Sequence, residues 1–315
     1  MTDDARDEIL RCTAGAGATR VVVVTATDVA REAIRRHGAT GAAVVALARG
    51  LTSGLLLATL TKDDERATLQ LLGDGPLGGI TVDATAAGTA RGYVRNPDDA
   101  RAPIDLAAPR PSVARAVGTR GVVSVVRDVG LREPFSGQTE IVSGEVDEDC
   151  EHYLTTSEQI ESALRCETVL APDGSLVAAA GVLVQALPGG RGVRGVLAAR
   201  AHFEDGALQR ALASAPPDAQ TLVERMLDDG GSGFGEALGP VVTLDARPVR
   251  FHCPCTRERA AASIALLGAA EIASMILEDG QAEVACNFCR SRHTFTAADL
   301  ELMRRELEGP AGPPS

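Results

Sequence analysis

Four of the seven cysteines fall within 37 residues: Cys253-Pro254-Cys255, an interval of 30 residues, then Cys286-Asn287-Phe288-Cys289. Thiolates are soft ligands, and two close pairs at this separation can wrap one ion tetrahedrally, each knuckle offering two sulfurs. The ion such a set selects is Zn2+, one per chain, held about 2.3 Å from each sulfur by Cys253, Cys255, Cys286 and Cys289. Four thiolates leave no open position for water, so hydrolytic metal chemistry is not expected and no catalytic residue is assigned. The set reads in two ways. One is a permanent structural knuckle, as in a zinc ribbon that binds nucleic acid or a protein partner. The other is a reversible switch, since a disulfide across the single residue of Cys-x-Cys is strained and easily reduced again, and clustered thiolates are what oxidants attack. Taken alone, Cys286-x-x-Cys289 also resembles a thiol oxidoreductase motif, but it does not open a helix after a central strand.

These cysteines sit in a module over 249–302, which has too few residues for a large core and must draw much of its stability from the ion. Ahead of it lies a segment, 189–248, with short helix-like pieces at Ala207 to Ala213 and Thr221 to Asp228. Pro216-Pro217 and Gly230-Gly231-Ser232-Gly233 break it up, so it reads as a helical linker that buries little surface and is only marginally folded. Residues 1–188 mix strands and helices without a regular βαβ period, which makes the class α+β: a mixed core domain, a metastable helical linker and a small four-cysteine domain. Strands are expected at Val21 to Val24, Ala67 to Leu72, Ile80 to Asp83, Ala90 to Arg95, Gly121 to Arg127 and Gln138 to Ser143. An apolar run follows at Val177 to Leu187. Helices are expected at Asp28 to Arg36 with Asp28 as N-cap, over Gly41 to Thr61, and at Ser157 to Leu164 with a Ser cap. Residues 303–315 read as a flexible tail, Pro- and Gly-rich from Gly309 onward.

The chain has 315 residues, a formal net charge of −12, 45% hydrophobic residues and no Trp. An acidic chain with a pI near 5.0 is a poor match for the phosphate backbone, and so few aromatics leave little for base stacking. Four arginines face six acidic residues between Phe251 and Leu300, which argues against a phosphate-binding ribbon despite Arg257 and Arg259. The most apolar segment, Gly41 to Thr61, contains Arg49 and is read as a buried core helix rather than a membrane span. The acidic start lacks the pattern of a secretory signal, so a reducing cytoplasm is expected, where cysteines serve as ligands, sensors or core thiols.

The residues around the cysteines resemble a known family. Phe251-His252-Cys253-Pro254-Cys255-Thr256-Arg257-Glu258-Arg259, Leu267-Gly268, Glu271-Ile272, Glu278-Asp279-Gly280, Glu283-Val284 and Phe295 look like the redox-switch domain of the 33 kDa heat-shock protein family, the redox-regulated holdase chaperones. Leu56 to Leu60, Gln70 with Gly73-Asp74-Gly75-Pro76, Arg91-Gly92, Tyr153 with Ser157-Glu158-Gln159, and Gly181 with Gln185 and Pro188 match the same family in order. The likeness therefore spans nearly the whole chain. It implies an ATP-independent, non-enzymatic holdase, zinc-bound and inactive when reduced. It further implies that oxidation joins Cys253 to Cys255 and Cys286 to Cys289, releases the ion, unfolds the linker and yields a homodimer that protects unfolding clients. Thr256 stands where the family more often has Ser, a neutral exchange for a helix N-cap. His293 stands where Tyr is more usual. An imidazole there, or at His252, could tune the thiolates, but both read more simply as peripheral polar residues.

Two Gly-x-Gly-x-x-Gly matches, Gly73 to Gly78 and Gly190 to Gly195, are read as a hairpin and a loop rather than cofactor sites, since neither is expected to open a helix after a strand. Cys12, Cys150 and Cys166 have no metal-like spacing and read as ordinary thiols.

Overall fold

The apolar β-branched runs pair into two sheets, and one wholly buried helix fills the space between them. In the computed structural model, which describes residues 7–62, 65–98, 102, 104–106, 108–128, 130, 134–189, 191–213, 217–228 and 233–308, the chain divides into two compact units, Met1–His252 and Cys253–Ser315. The expected tail from Gly309 onward lies outside the described residues.

The first unit runs β1 (Glu8–Ala14), β2 (Thr19–Thr25), α1 (Thr27–His37), α2 (Ala42–Ala58), β3 (Arg66–Gly73), β4 (Ile80–Thr85), β5 (Thr89–Val94), α3 (Ala114–Val117), β6 (Gly121–Asp128), β7 (Phe135–Glu140), α4 (Val146–Thr156), β8 (Ser162–Leu170) and β9 (Leu176–Ala186). It continues through α5 (Val193–Glu204), α6 (Ala207–Leu212), α7 (Ala219–Leu227), α8 (Phe234–Leu238), β10 (Val241–Pro248) and β11 (Arg250–Phe251). One sheet has the order β10-β1-β2-β9-β8 and the other β11-β5-β4-β3-β6-β7. All pairings are antiparallel except β11 on β5. The class is therefore α+β, as expected.

Helix α2 packs on strands of both sheets, and every one of its residues is buried. Close approach needs small residues: a Cβ at Gly54 would meet Val82 Cγ1 at 2.5 Å. Among the described residues no single helix is long and apolar enough to cross a membrane.

Several sequence expectations are corrected by contacts from far along the chain. Asp28 does not cap α1. Ala26 occupies the N-cap position, and the Asp7 carboxylate accepts the amides of Thr27 and Val29 at 2.7 and 2.8 Å. The expected helix from Ser157 to Leu164 is instead the end of α4 and the start of β8. Ser157 closes α4 by donating its amide to Tyr153 O, Gln159 turns the chain with φ +56°, and Ser162 onward pairs with β9. The expected strand at Gln138 to Ser143 ends at Glu140, because the Asp149 carboxylate takes the amides of Val142, Ser143 and Gly144 and bends them into the entry of α4.

The segment 189–248 buries far more apolar surface than its breakers suggest. Val196, Phe203, Leu208, Leu222, Met226 and Phe234 form a core with Val21, Val23, Val182 and Val184 on the outer face of the first sheet, and β10 extends that sheet beside β1. The second glycine motif does open a helix, α5, contrary to the expected loop; its first part, Gly190, lies outside the described residues. Its strand β9 pairs antiparallel on both sides, so no parallel nucleotide-binding unit arises. Gly192 is needed for backbone packing: a Cβ there would meet the Ala18 carbonyl at 2.3 Å. The first motif, from Gly73, forms the connection from β3 to β4, a hairpin as expected.

Candidate metal centre

Two short chain reversals bring the four thiols together. The second unit comprises α9 (Arg257–Ala265), α10 (Ala269–Glu278), β12 (Gln281–Ala285), β13 (Arg292–Thr296) and α11 (Ala297–Glu308). Helix α11 carries ordered structure to Glu308, past the expected module end at 302, because Leu300 is buried and Met303 packs beside it on the module core. Arg304 also pairs with Glu301 and Glu308 along that helix.

Strands β12 and β13 form an antiparallel hairpin whose loop holds Cys286 and Cys289. The loop is closed by Cys286 N to Ser291 O and Arg290 N to Cys286 O, both 2.9 Å, with Arg290 at φ +60°. The other knuckle precedes α9. Thr256 is the N-cap, as expected, its hydroxyl accepting the amide of Arg259 at 3.3 Å.

The sulfurs of Cys253, Cys255, Cys286 and Cys289 all lie within 4.8 Å of one another. Across the knuckles, Cys253 and Cys286 are 3.7 Å apart and Cys255 and Cys289 3.1 Å. A tetrahedron of sulfurs about 2.3 Å from its centre has edges of about 3.8 Å, so the donor set fits one four-coordinate soft cation. Cys289 is buried and the other three thiols are half-buried.

Protonation differs across the cluster. Burial opposes ionisation of Cys289, but hydrogen bonds from the Ser291 hydroxyl, the Cys255 thiol and the Ser291 amide bring it down to about 6. Burial and a proton shared with Cys289 push Cys255 up to about 12, and burial raises Cys286. A bound cation must displace those protons, which ties its affinity to pH.

The core beneath the site is small: Ala260, Ile264, Ile272, Phe295 and Leu300 are its buried apolar residues, while Leu266 and Leu277 stay exposed. His252 is exposed, and His293 lies on β13 opposite Val284; neither belongs to the sulfur cluster. Cys12, Cys150 and Cys166 are buried in the first unit. Burial raises the ionisation point of each, which makes them poor nucleophiles. Sequence reasoning missed the contact of Ser291 with Cys289, signalled only by its place two residues on. It also missed what the arginines of Arg257-Glu258-Arg259 touch.

Fold and site define an α+β protein carrying a C-terminal four-cysteine module able to hold a metal ion. Residues 7–296 match the family model described as Hsp33 protein. The chain is 38% identical over 304 residues to the 33 kDa chaperonin of Bacillus subtilis (strain 168), covering 95% of this chain and 98% of the relative. It is 39% identical over 307 residues to that of Gloeobacter violaceus, covering 96% of each. The crystal structure of the 33 kDa chaperonin, a heat shock protein 33 homolog, from Thermotoga maritima superposes with a TM-score of 0.70 at 29% identity, over 95% of this chain and 98% of that one. The chain belongs to the Hsp33 family.

Proposed function

We propose that this protein is a cytoplasmic, ATP-independent holdase chaperone switched on by oxidation, and not an enzyme. Membership of a family whose relatives are named chaperonins supports the chaperone role. The observation that carries the redox reading is the convergence of four sulfurs within 4.8 Å over a core of five buried apolar residues. A zinc ion there would hold the two knuckles together and keep the sulfurs charged. When a peroxide or hypochlorite withdraws two electrons from each pair, Cys253 bonds to Cys255 and Cys286 to Cys289, and the sulfurs lose the charge that held the ion. The small module then has too little core to stay folded.

Val249 and β11 lead directly from β10 into Cys253, so in this reading loss of the folded module is passed along the chain to 189–248. Opening of that segment uncovers the apolar layer it shares with β2 and β9, a surface suited to unfolding clients. The oxidised form acts as a homodimer in this reading, with neither nucleic acid nor membrane as partner.

The test is light scattering of a thermally unfolding client with reduced and with hypochlorite-treated protein. Suppression only after oxidation is expected; equal or absent suppression in both states overturns the proposal. Zinc retained through mild oxidation, with salt-dependent RNA binding, would instead indicate a constitutive zinc-ribbon binding protein.

A further inference from the structure

Residues two apart in an extended chain share a face but stand about 6.6 Å apart along it. Cys253 and Cys255, separated only by Pro254, bring their sulfurs closer than that, within 4.8 Å of each other. The Pro254 link between the two thiols is held from α9. Nη1 of Arg259 donates to the Pro254 carbonyl at 3.0 Å, while the amide of the same residue completes the Thr256 cap. Proline offers no N–H, so this carbonyl is the backbone group by which the middle of the knuckle can be held.

Arg257 acts on the opposite knuckle. Its guanidinium lies 4.3 Å from the ring centroid of Phe295, donates to Thr294 O at 2.5 Å and pairs with Asp299 at 3.1 Å. Asp299 in turn accepts the amide and hydroxyl of Thr296, both at 2.8 Å. Arg257 thus fastens the start of α9 to the end of β13, the strand that leaves the Cys286–Cys289 loop.

We infer that Arg257 and Arg259 are positioning residues that hold the two cysteine knuckles in register, and so set how readily the cluster gives up a soft divalent cation. The inference rests on the four thiols being a metal site, and it adds which side chains govern release. Both arginines are exposed, and with six acidic residues against four arginines between Phe251 and Leu300 they have no role as a phosphate patch. Partners that orient ligands commonly change metal affinity 10- to 100-fold when removed.

The two sites differ in what they demand. A lysine can reach one carbonyl, whereas stacking on Phe295 while donating to both Thr294 and Asp299 needs a planar fork. Arg259→Lys should therefore keep most of the function and Arg257→Lys should not. The experiment uses the reduced full-length chain loaded with zinc, following transfer to a chromogenic chelator, and in parallel the thiolate-to-metal absorption of the cadmium-loaded protein. Arg259→Ala and Arg257→Lys are expected to release zinc about 10-fold faster with altered cadmium absorption, while Arg259→Lys and the control Arg304→Ala stay within about twofold of wild type. Wild-type release rates and unchanged cadmium spectra in Arg259→Ala and Arg257→Lys overturn the inference and leave the metal site standing. A wild-type chain that binds no zinc overturns the site itself, and this inference with it.

Discussion

Arg49 on α2 donates from Nη1 to the Glu145 carboxylate at 2.8 Å, and its side chain is wholly shut off from water. A charge inside an otherwise apolar helix is tolerated because the fold surrounds it with acids. Glu167 lies 3.7 Å from Nη2, and Arg110 bridges Glu167 and Asp147 at 2.9 and 2.7 Å. Burial by itself would raise Asp147, but Arg110 and Arg49 override it and hold the carboxyl below its usual range. Arg49→Met should leave these acids short of a buried countercharge and cost about 3–5 kcal/mol, read by urea unfolding. A loss under about 1 kcal/mol would contradict the assignment.

Asp7 gives stability a pH dependence. It is 4% exposed, and burial raises its carboxyl from 3.8 to about 6 despite the amides of Val29 and Thr27. The folded state therefore binds more protons than the unfolded chain between about pH 4 and 6. Its contribution is full below the unfolded value and is lost as pH rises through about 6, at most about 3 kcal/mol. Asp7→Asn should flatten the stability profile in that window relative to wild type. Parallel profiles for the two proteins would sink this expectation.

Cys255→Ser removes one of four converging sulfurs. Zinc bound per chain should fall well below one under mild chelation, with destabilisation confined to the second unit. Metal analysis after gel filtration checks it, and full stoichiometry would count against a four-thiolate site.

Stripping the metal from the reduced chain should melt the second unit first. Amides of α9, α10 and β12 are expected to lose protection in hydrogen exchange, while those of β2, β9 and α2 keep theirs. Uniform protection with and without metal would mean that the five-residue core suffices.

Leu222 on α7 is fully buried against the outer face of the first sheet. Leu222→Ala should cost about 2–5 kcal/mol locally and raise client protection by the reduced protein. A destabilised variant that stays silent when reduced would detach this helix layer from regulation.

Where an element depends on neighbours in sequence, the residues disclose it. The β-branched run at Val21, the apolar α2 and the Thr256 cap all lie where local pattern puts them. The misplaced helix at Ser157 failed because Ala163 and Leu164 suit a strand as well as a helix, and β9 decides between them. Asp28 lost its capping role to Asp7, which lies twenty residues before Thr27 and which no local window sees.

The sequence by itself determined the class of the fold and the four-sulfur donor set, because ligand spacing is covalent and two tight knuckles have few ways to present their thiols. Only the tertiary structure decided that 189–248 is a packed layer, that Arg49 is neutralised, and which arginine holds which knuckle. Those outcomes rest on contacts between residues distant in the chain, whose energies exist only once both partners are brought together.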